Sequence, residues 1–259
     1  MSANFDPTPA ARMLAEAWRS GKQISELPVE IQPRNLNEGY DVQDQLFAQM
    51  NEPLAGWKLG VGSPAAMRGA GLDRPLVGRI LASHCHHSGD TVQLPSAAPI
   101  TVEFEIGFVL GRDIAPGTTL ASPLDAVASV HATFELVLSR FVNRRAAGWP
   151  SFAADGVGFE ALIVGDPIDP AQIDDVARTV VVSLDGKETA RGLGGDDLTN
   201  AIASLGYLIN HARDRGVTLK RGELVSTGAN AKPFDVAGAD FEIVARYLQS
   251  ELRARTRLR

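Results

Sequence analysis

The chain has 259 residues, of which 44% are hydrophobic and 22% charged, a composition typical of a globular protein with enough chain for one large core. Its formal net charge of −6 makes nucleic acid an unexpected partner, because phosphate binding needs a basic surface. No apolar run could cross a membrane, the N-terminus lacks a signal pattern, and the single cysteine, Cys85, excludes an internal disulfide, so we expect a cytoplasmic protein.

The N-terminal part of the chain is predicted to be helical. In a first segment, apolar side chains repeat at helical spacing: Ala10, Ala11, Met13, Leu14, Ala17 and Trp18. A second helix should begin near residues 37–38, capped by Asn35 or Asn37, with apolar side chains along one face: Val42, Leu46, Phe47 and Met50. We therefore divide the chain into a helical region, 1–55, and a β-rich catalytic domain, 56–259.

The middle of the chain carries mostly strand signals. Glycine and proline recur throughout residues 56–99, which predicts short strands and turns. Residues 100–165 contain the long apolar runs typical of buried strands. Near residues 174–186, apolar residues alternate before the turn pair Asp185-Gly186, which predicts a hairpin.

The C-terminal part is predicted to form a helix and then strands. Residues 197–215 have apolar side chains at helical spacing before Gly216, which should end the helix, and residues 223–246 have a strand pattern. Four arginines follow, which we expect to lie on a frayed, solvated end: Arg253, Arg255, Arg257 and Arg259. Together the elements predict an α+β fold without internal repeats.

Three glutamates lie inside apolar, strand-like segments. Glu103 and Glu105 are two residues apart, so their carboxylates leave the same face of a strand, and Glu135 lies in a second apolar run. Like charges on a buried surface are costly unless a proton or a cation neutralises them. The pattern therefore indicates an all-oxygen site for Mg2+ or Mn2+, and the alternative is a solvated face of an edge strand.

Short motifs around these glutamates occur in the order found in a known family. They are Gly56-Trp57-Lys58-Leu59-Gly60, Gly71-Leu72-Asp73-Arg74-Pro75-Leu76-Val77-Gly78, Val102-Glu103-Phe104-Glu105-Ile106, Phe134-Glu135-Leu136-Val137-Leu138-Ser139-Arg140, Ala154-Asp155, Leu193-Gly194, Leu198-Thr199-Asn200-Ala201 and Ser226-Thr227-Gly228. In these motifs the chain resembles the fumarylacetoacetate hydrolase superfamily, and within it the 2-oxopent-4-enoate hydratases and 4-oxalocrotonate decarboxylases of aromatic catabolism. The resemblance implies a mixed, distorted, barrel-like β roll with an N-terminal helical region.

The resemblance also implies roles for individual residues. Lys58 matches an active-site lysine that could transfer a proton or stabilise an enolate, and Asp155 matches an aspartate assigned to the catalytic site. Thr227 and Ser226 are candidate contacts to the substrate carboxylate, and Leu76 is a candidate residue of the substrate site. From the residues alone, Lys58 could instead extend its stem to solvent, and Asp155 could be a turn residue.

The function implied by the resemblance is that of a lyase, dependent on Mg2+ or Mn2+, that acts on an unsaturated 2-oxo acid. The main expectation is hydration of 2-oxopent-4-enoate (2-hydroxypentadienoate). The alternatives are decarboxylation of 4-oxalocrotonate (2-oxo-3-hexenedioate) and a non-catalytic subunit that binds a small acid. Leu76 favours decarboxylation, because the hydratases usually have an aspartate there.

The implied assembly is a homo-oligomer, and a complex with a partner enzyme of the same pathway is an open alternative. The chain also departs from the family pattern at Thr101, where an arginine is common, at Gly156, where an asparagine is usual, and at Asp196-Asp197.

Overall fold

The computed structural model describes residues 5–259, which contain two N-terminal α-helices followed by strands with four further α-helices among them. The α-helices are α1 (Thr8–Ser20), α2 (Leu36–Met50), α3 (Pro64–Ala70), α4 (Gly148–Ala154), α5 (Ile173–Thr179) and α6 (Ala201–Asp214). The strands are β1 (Leu54–Gly60), β2 (Leu76–Leu81), β3 (Cys85–His87), β4 (Thr91–Leu94), β5 (Ile100–Leu110), β6 (Val127–Val137), β7 (Phe159–Ile168), β8 (Val181–Leu184), β9 (Lys187–Arg191), β10 (Leu224–Ala229), β11 (Phe234–Val236), β12 (Phe241–Tyr247) and β13 (Ser250–Leu258). No helix in this range is both long enough and apolar enough to cross a membrane.

Across residues 5–259 the strands form two sheets. The larger sheet has the order β2-β1-β10-β5-β6-β7-β3, and β11 also pairs with β5. Its β1–β10 and β3–β7 pairs are parallel and its other pairs antiparallel. The smaller sheet has the order β4-β13-β12-β8-β9. The larger sheet is mixed and curled into a half-barrel, which confirms the predicted α+β class with a distorted, barrel-like roll.

Strand β5 separates the hydrophobic core from the candidate site, because successive side chains on a strand face opposite sides of the sheet. The Phe104 ring lies 5.9 Å from that of Phe134 and 5.7 Å from that of Tyr247, which belongs to the smaller sheet. The core therefore fills the space between the two sheets. Glu103 and Glu105 flank Phe104 and point to the other face of β5.

The two N-terminal helices are confirmed and pack against the larger sheet. Leu14 of α1 and Leu46 of α2 are fully buried in one apolar cluster with Ile80 of β2. The side chain of Asn35 caps α2 by accepting a hydrogen bond from the Glu38 amide at 3.0 Å. Since these helices share their cluster with the sheet, the division at residue 55 stays a prediction.

Two predictions about the C-terminal half need correction. The hairpin at Asp185-Gly186 is confirmed as β8 and β9, but the preceding residues 173–179 form helix α5. The C-terminal arginines do not lie on a frayed end, because β13 pairs with both β12 and β4. Leu252, Ala254 and Thr256 are buried and alternate with the arginines, as expected for a strand with one buried face.

Candidate metal centre

Three carboxylates converge on the face of β5 and β6 that lies away from the core. Glu103 and Glu105 share one face of β5, and Glu135 is the direct cross-strand neighbour of Glu103 in the antiparallel β5–β6 pair. One carboxylate oxygen from each of the three lies within 4.8 Å of the other two. The even spacing on β5 and the register of β6 together create this cluster, which we call the glutamate trio.

The glutamate trio fits a divalent cation. Glu105 and Glu135 are fully buried, and Glu103 is partly buried. Oε1 of Glu105 and Oε2 of Glu135 have no hydrogen-bond partner within residues 5–259. Buried carboxylate oxygens rarely remain unsatisfied, and oxygen ligands are those that Mg2+ prefers. Three carboxylates beside the single ammonium of Lys58 carry a formal charge of −2, which one divalent cation would neutralise.

Burial also changes the acidity of two of these carboxyl groups. Burial, together with the nearby Glu135 and Glu103, raises the pKa of Glu105 well above its usual range. Burial raises the pKa of Glu135 to about 7, although the Lys58 ammonium acts in the opposite direction. Without a cation the trio therefore retains protons near neutral pH, and a bound cation must displace them.

Glu105 is held in place by strand β10. The Ser226 hydroxyl and the Gly228 amide both donate to Oε2 of Glu105, at 2.5 and 2.9 Å. The β5–β10 register shifts between Ser226 and Ala229, and Gly228 lies there at φ 103°, a conformation that favours glycine. This local irregularity directs the Gly228 amide at the carboxylate and leaves Oε1 of Glu105 free.

The hydroxyls predicted to contact substrate have protein partners. Thr227 is fully buried and donates to the Ile106 carbonyl at 2.6 Å, while Ser226 donates to Glu105. Each hydroxyl has one hydrogen to donate, so both donors support the wall of the site. Their contact with substrate stays a prediction.

Lys58 joins the trio from strand β1. Its side chain is only 1% exposed, and Nζ lies 2.7 Å from Oε1 of Glu135 in an ion pair. Nζ also donates to the Val157 carbonyl at 3.1 Å. A buried ammonium needs such partners, because an unpaired buried charge is very costly. The alternative in which the lysine stem extends to solvent is therefore wrong.

The Val157 carbonyl belongs to a tight turn with three successive left-handed residues. Gly156, Val157 and Gly158 have φ of 61°, 57° and 71°. For a β-branched residue such as Val157 this conformation is strained by about 1–3 kcal/mol. Gly78 of β2 allows the turn to lie close to that strand, because a Cβ on Gly78 would lie 2.4 Å from the Gly156 oxygen. The strained residue, Val157, is therefore the one whose carbonyl accepts the hydrogen bond from the Lys58 ammonium.

Asp155 begins this turn but is not part of the glutamate trio. Its fully buried carboxylate accepts hydrogen bonds from the Ser139 hydroxyl at 2.8 Å and the Arg140 amide at 3.0 Å, and it pairs with the Arg140 guanidinium. Arg140 also donates to the Asp155 carbonyl at 2.7 Å. The structure therefore brings Lys58 and the trio together, whereas the Asp155 carboxylate anchors the start of the turn.

Leu76 is fully buried and lies opposite Gly60 in the β1–β2 pair. It forms a small apolar cluster with Phe152 and Val157. Its side chain has no group that can transfer a proton, and its place in the substrate site stays a prediction.

Several residues that support the site were not predicted from the sequence. Arg140 holds Asp155, and the side chain of Asn230 accepts from the Ile106 amide at 2.8 Å and donates to the Thr199 carbonyl at 2.9 Å. Arg140 is the last residue of one of the short motifs, so the sequence indicates that it has a role but does not indicate its partner. Asn230 lies outside those motifs, and its sequence context gave no signal.

The chain matches known proteins over most of its length. Residues 65–249 match the sequence profile described as fumarylacetoacetate (FAA) hydrolase C-terminal. A 2-keto-4-pentenoate hydratase of Burkholderia vietnamiensis is 30% identical over 224 residues, 85% of each chain. A 4-oxalocrotonate decarboxylase of a Pseudomonas species is 28% identical over 222 residues, covering 85% of this chain and 86% of that one.

A solved structure supports the fold. The 4-oxalocrotonate decarboxylase from Pseudomonas putida G7, complexed with magnesium and adipate, superposes with a TM-score of 0.85 at 24% sequence identity over 96% of both chains. At this level of identity the likeness concerns the fold, and it confirms the predicted β roll.

Proposed function

The chain belongs to the fumarylacetoacetate hydrolase family, and on this basis we propose that it is a divalent-metal-dependent lyase that acts on an unsaturated 2-oxo acid. The reaction that we favour is hydration of 2-oxopent-4-enoate, the activity for which several relatives are named. The single observation that carries the metal-dependent chemistry is the convergence of three glutamates, two of which each have a buried oxygen without a partner within residues 5–259.

We propose that Glu103, Glu105 and Glu135 hold the cation, with Mg2+ as the first candidate and Mn2+ as the second. Solved relatives complexed with magnesium or with Mn2+ support this choice. When bound, such a cation acts as a Lewis acid toward the oxygens of a 2-oxo acid. Ser226 and the Gly228 amide keep Glu105 oriented, so the ligand set is preorganised by β10.

We propose that Lys58 carries the proton chemistry. Its ammonium is shielded from water and lies beside Glu135, where it can stabilise the negative charge of a substrate enolate or deliver a proton to its carbon chain. The Val157 carbonyl fixes the direction of the ammonium. Thr227 remains a candidate contact for the substrate carboxylate, to which its hydroxyl would have to donate in place of the Ile106 carbonyl, because an ionised carboxylate only accepts hydrogen bonds.

The catalytic role of Asp155 is proposed only in an indirect form. Its carboxylate pairs with Arg140 and fixes the start of the turn that ends in Gly158. Val157 in that turn holds Lys58, so Asp155 acts as a positioning residue for the ammonium. Loss of this ion pair would leave a buried charge unpaired and disturb the turn.

Decarboxylation of 4-oxalocrotonate is the second candidate reaction, and one observation favours it. Leu76 is fully buried in an apolar cluster with Phe152 and Val157, at the position where the resembled hydratases usually have an acid. A hydratase needs a group that moves a proton to or from water, and this wall supplies none.

The two reactions are distinguished by direct assay. The purified protein, loaded with Mg2+, is mixed with 2-hydroxypentadienoate and then with 4-oxalocrotonate, and ultraviolet absorbance and CO2 release are followed. Hydration supports the favoured reaction, and decarboxylation without hydration replaces it with the second. In the Leu76→Asp variant, hydratase activity should rise if this wall limits water addition. Turnover of neither compound by the metal-loaded protein would favour a different 2-oxo acid or a non-catalytic subunit.

The cellular setting is also a proposal. We propose a cytoplasmic homo-oligomer that takes part in the catabolism of aromatic compounds, as the named activities of its relatives suggest. A complex with another enzyme of that pathway is the alternative assembly.

A further inference from the structure

An arginine outside the glutamate trio lies beside the same strand face. Arg144 belongs to the segment between β6 and α4 and is partly buried. Its Nη2 donates to the Thr101 hydroxyl at 3.1 Å, and its guanidinium carbon lies 5.8 Å from the centre of the Phe152 ring. These two contacts fix the guanidinium between β5 and the apolar cluster.

Both contacts relate Arg144 to the candidate metal centre. Thr101 is two residues before Glu103, and the β5–β6 ladder is regular from Thr101 to Val109, so both side chains leave the same face about 7 Å apart. Phe152 packs with Val157, the residue whose carbonyl holds Lys58. Arg144 therefore contacts β5 one strand repeat before Glu103, on the face that carries the trio.

Arg144 has hydrogen-bonding capacity that its neighbours do not use. Within residues 5–259 no carboxylate lies within ion-pair distance of it, whereas the neighbouring Arg140 pairs with Asp155. The nearest acid through hydrogen bonds is Asp235, whose exposed carboxylate accepts from the same Thr101 hydroxyl at 2.5 Å. A guanidinium has five N–H donors, and the Thr101 hydroxyl accepts from only one of its nitrogens.

We propose that Arg144 binds a second carboxylate at the far end of the substrate and so selects a 2-oxo acid that is a diacid. This inference rests on the metal-dependent part of the proposed function, because the trio and its cation must hold the 2-oxo end. It favours 4-oxalocrotonate, which is a diacid, over 2-oxopent-4-enoate, which has a single carboxylate. An extended six-carbon diacid spans about 6 Å between its end carbons, so with coordination to the cation at one end and hydrogen bonds at the other it can bridge groups that lie further apart than one strand repeat of about 7 Å. A planar guanidinium binds a carboxylate through two parallel hydrogen bonds, which an uncharged chain end cannot form.

The test uses two unreactive ligands that differ only at the far end. These are 2-oxohexanedioate and 2-oxohexanoate, and calorimetry measures their dissociation constants for the Mg2+-loaded protein. The wild type should bind the diacid about 10- to 100-fold more tightly, as expected for hydrogen bonds between charged groups. In Arg144→Gln the ratio of the two constants should fall close to one, and Arg144→Lys should keep part of the preference.

The neighbouring Arg145 provides a matched control. It is exposed and has no ion pair within residues 5–259, so Arg145→Gln removes the same charge while leaving the preference for the diacid intact. Folding of each variant is checked by its melting temperature in Mg2+.

Three results would overturn the inference. Equal binding of both ligands by the wild type would do so, as would a preference that persists in folded Arg144→Gln. If neither ligand binds to the Mg2+-loaded wild type, the proposed function fails and the role of Arg144 fails with it. The first two results remove only the role of Arg144 and leave the proposed function in place.

Discussion

Replacing Glu105 by glutamine should separate the metal site from the stability of the fold. Glutamine has almost the same shape and can still accept hydrogen bonds from Ser226 and Gly228, but it removes one of the three anionic ligands. Any ligand that binds only the folded state stabilises it, by about 2.7 kcal/mol at 100 times its dissociation constant. The wild type should gain this free energy in Mg2+, and Glu105→Gln should gain almost none.

In the absence of metal, Glu105→Gln should not lower the free energy of unfolding. Glu105 is fully buried, and its pKa is raised well above the usual range by burial and by the neighbouring glutamates. Above neutral pH the wild type must bury a group that resists ionisation, whereas glutamine has no such cost. In EDTA the variant should therefore equal the wild type or exceed it, by on the order of 1 kcal/mol.

The assay is thermal unfolding of both proteins at pH 8, in EDTA and in Mg2+. For a chain of this size about 2.7 kcal/mol corresponds to a rise of about 5–10 °C in the melting temperature. Glu160→Gln is a matched control, because Glu160 is also a buried glutamate but lies beside Arg140, outside the trio. That control should keep the Mg2+-dependent rise. An equal rise in Glu105→Gln, or its marked destabilisation in EDTA, would refute the reasoning.

Two further predictions concern Lys58 and Glu160. Lys58→Met keeps the apolar stem but removes the ammonium. Turnover in Mg2+ should therefore fall by roughly two or more orders of magnitude. A fall of less than about tenfold would contradict a role in proton transfer. Burial raises the pKa of Glu160 from an ordinary value of 4.5 to about 7 in the folded protein. As pH rises, this carboxyl group therefore ionises first in the unfolded chain. The free energy of unfolding should fall between pH 4.5 and about 7 for this reason. Relative to Glu160→Gln, the wild type should lose about 3 kcal/mol of unfolding free energy across that interval in urea titrations with EDTA, and a constant difference would show that the carboxyl is not perturbed.

The sequence alone was sufficient for features that depend on local periodicity. Alternation along β5 required Glu103 and Glu105 to share a face, whatever the rest of the chain did. The Asp185-Gly186 hairpin and the apolar faces of α1 and α2 follow equally from spacing within a few residues. The C-terminal arginines have the same strand signal, but the small residues between them, such as Ala254, are weak indicators of burial, so the local sequence favours a charged tail.

Which side chains meet across the sheet was decided only by the tertiary structure. Lys58 of β1 reaches Glu135 of β6 because the sheet curls across the two strands between them, β10 and β5, and that strand order and curl follow from the packing of the whole chain. Ser226 meets Glu105 at an irregularity in the ladder, and Asp155, at the start of the strained turn, pairs with Arg140 from a different part of the chain. A carboxylate has the same sequence signal whether it binds a cation, a proton or a guanidinium. Its partner is set by non-local packing and by the cost of leaving any one of these buried charges alone.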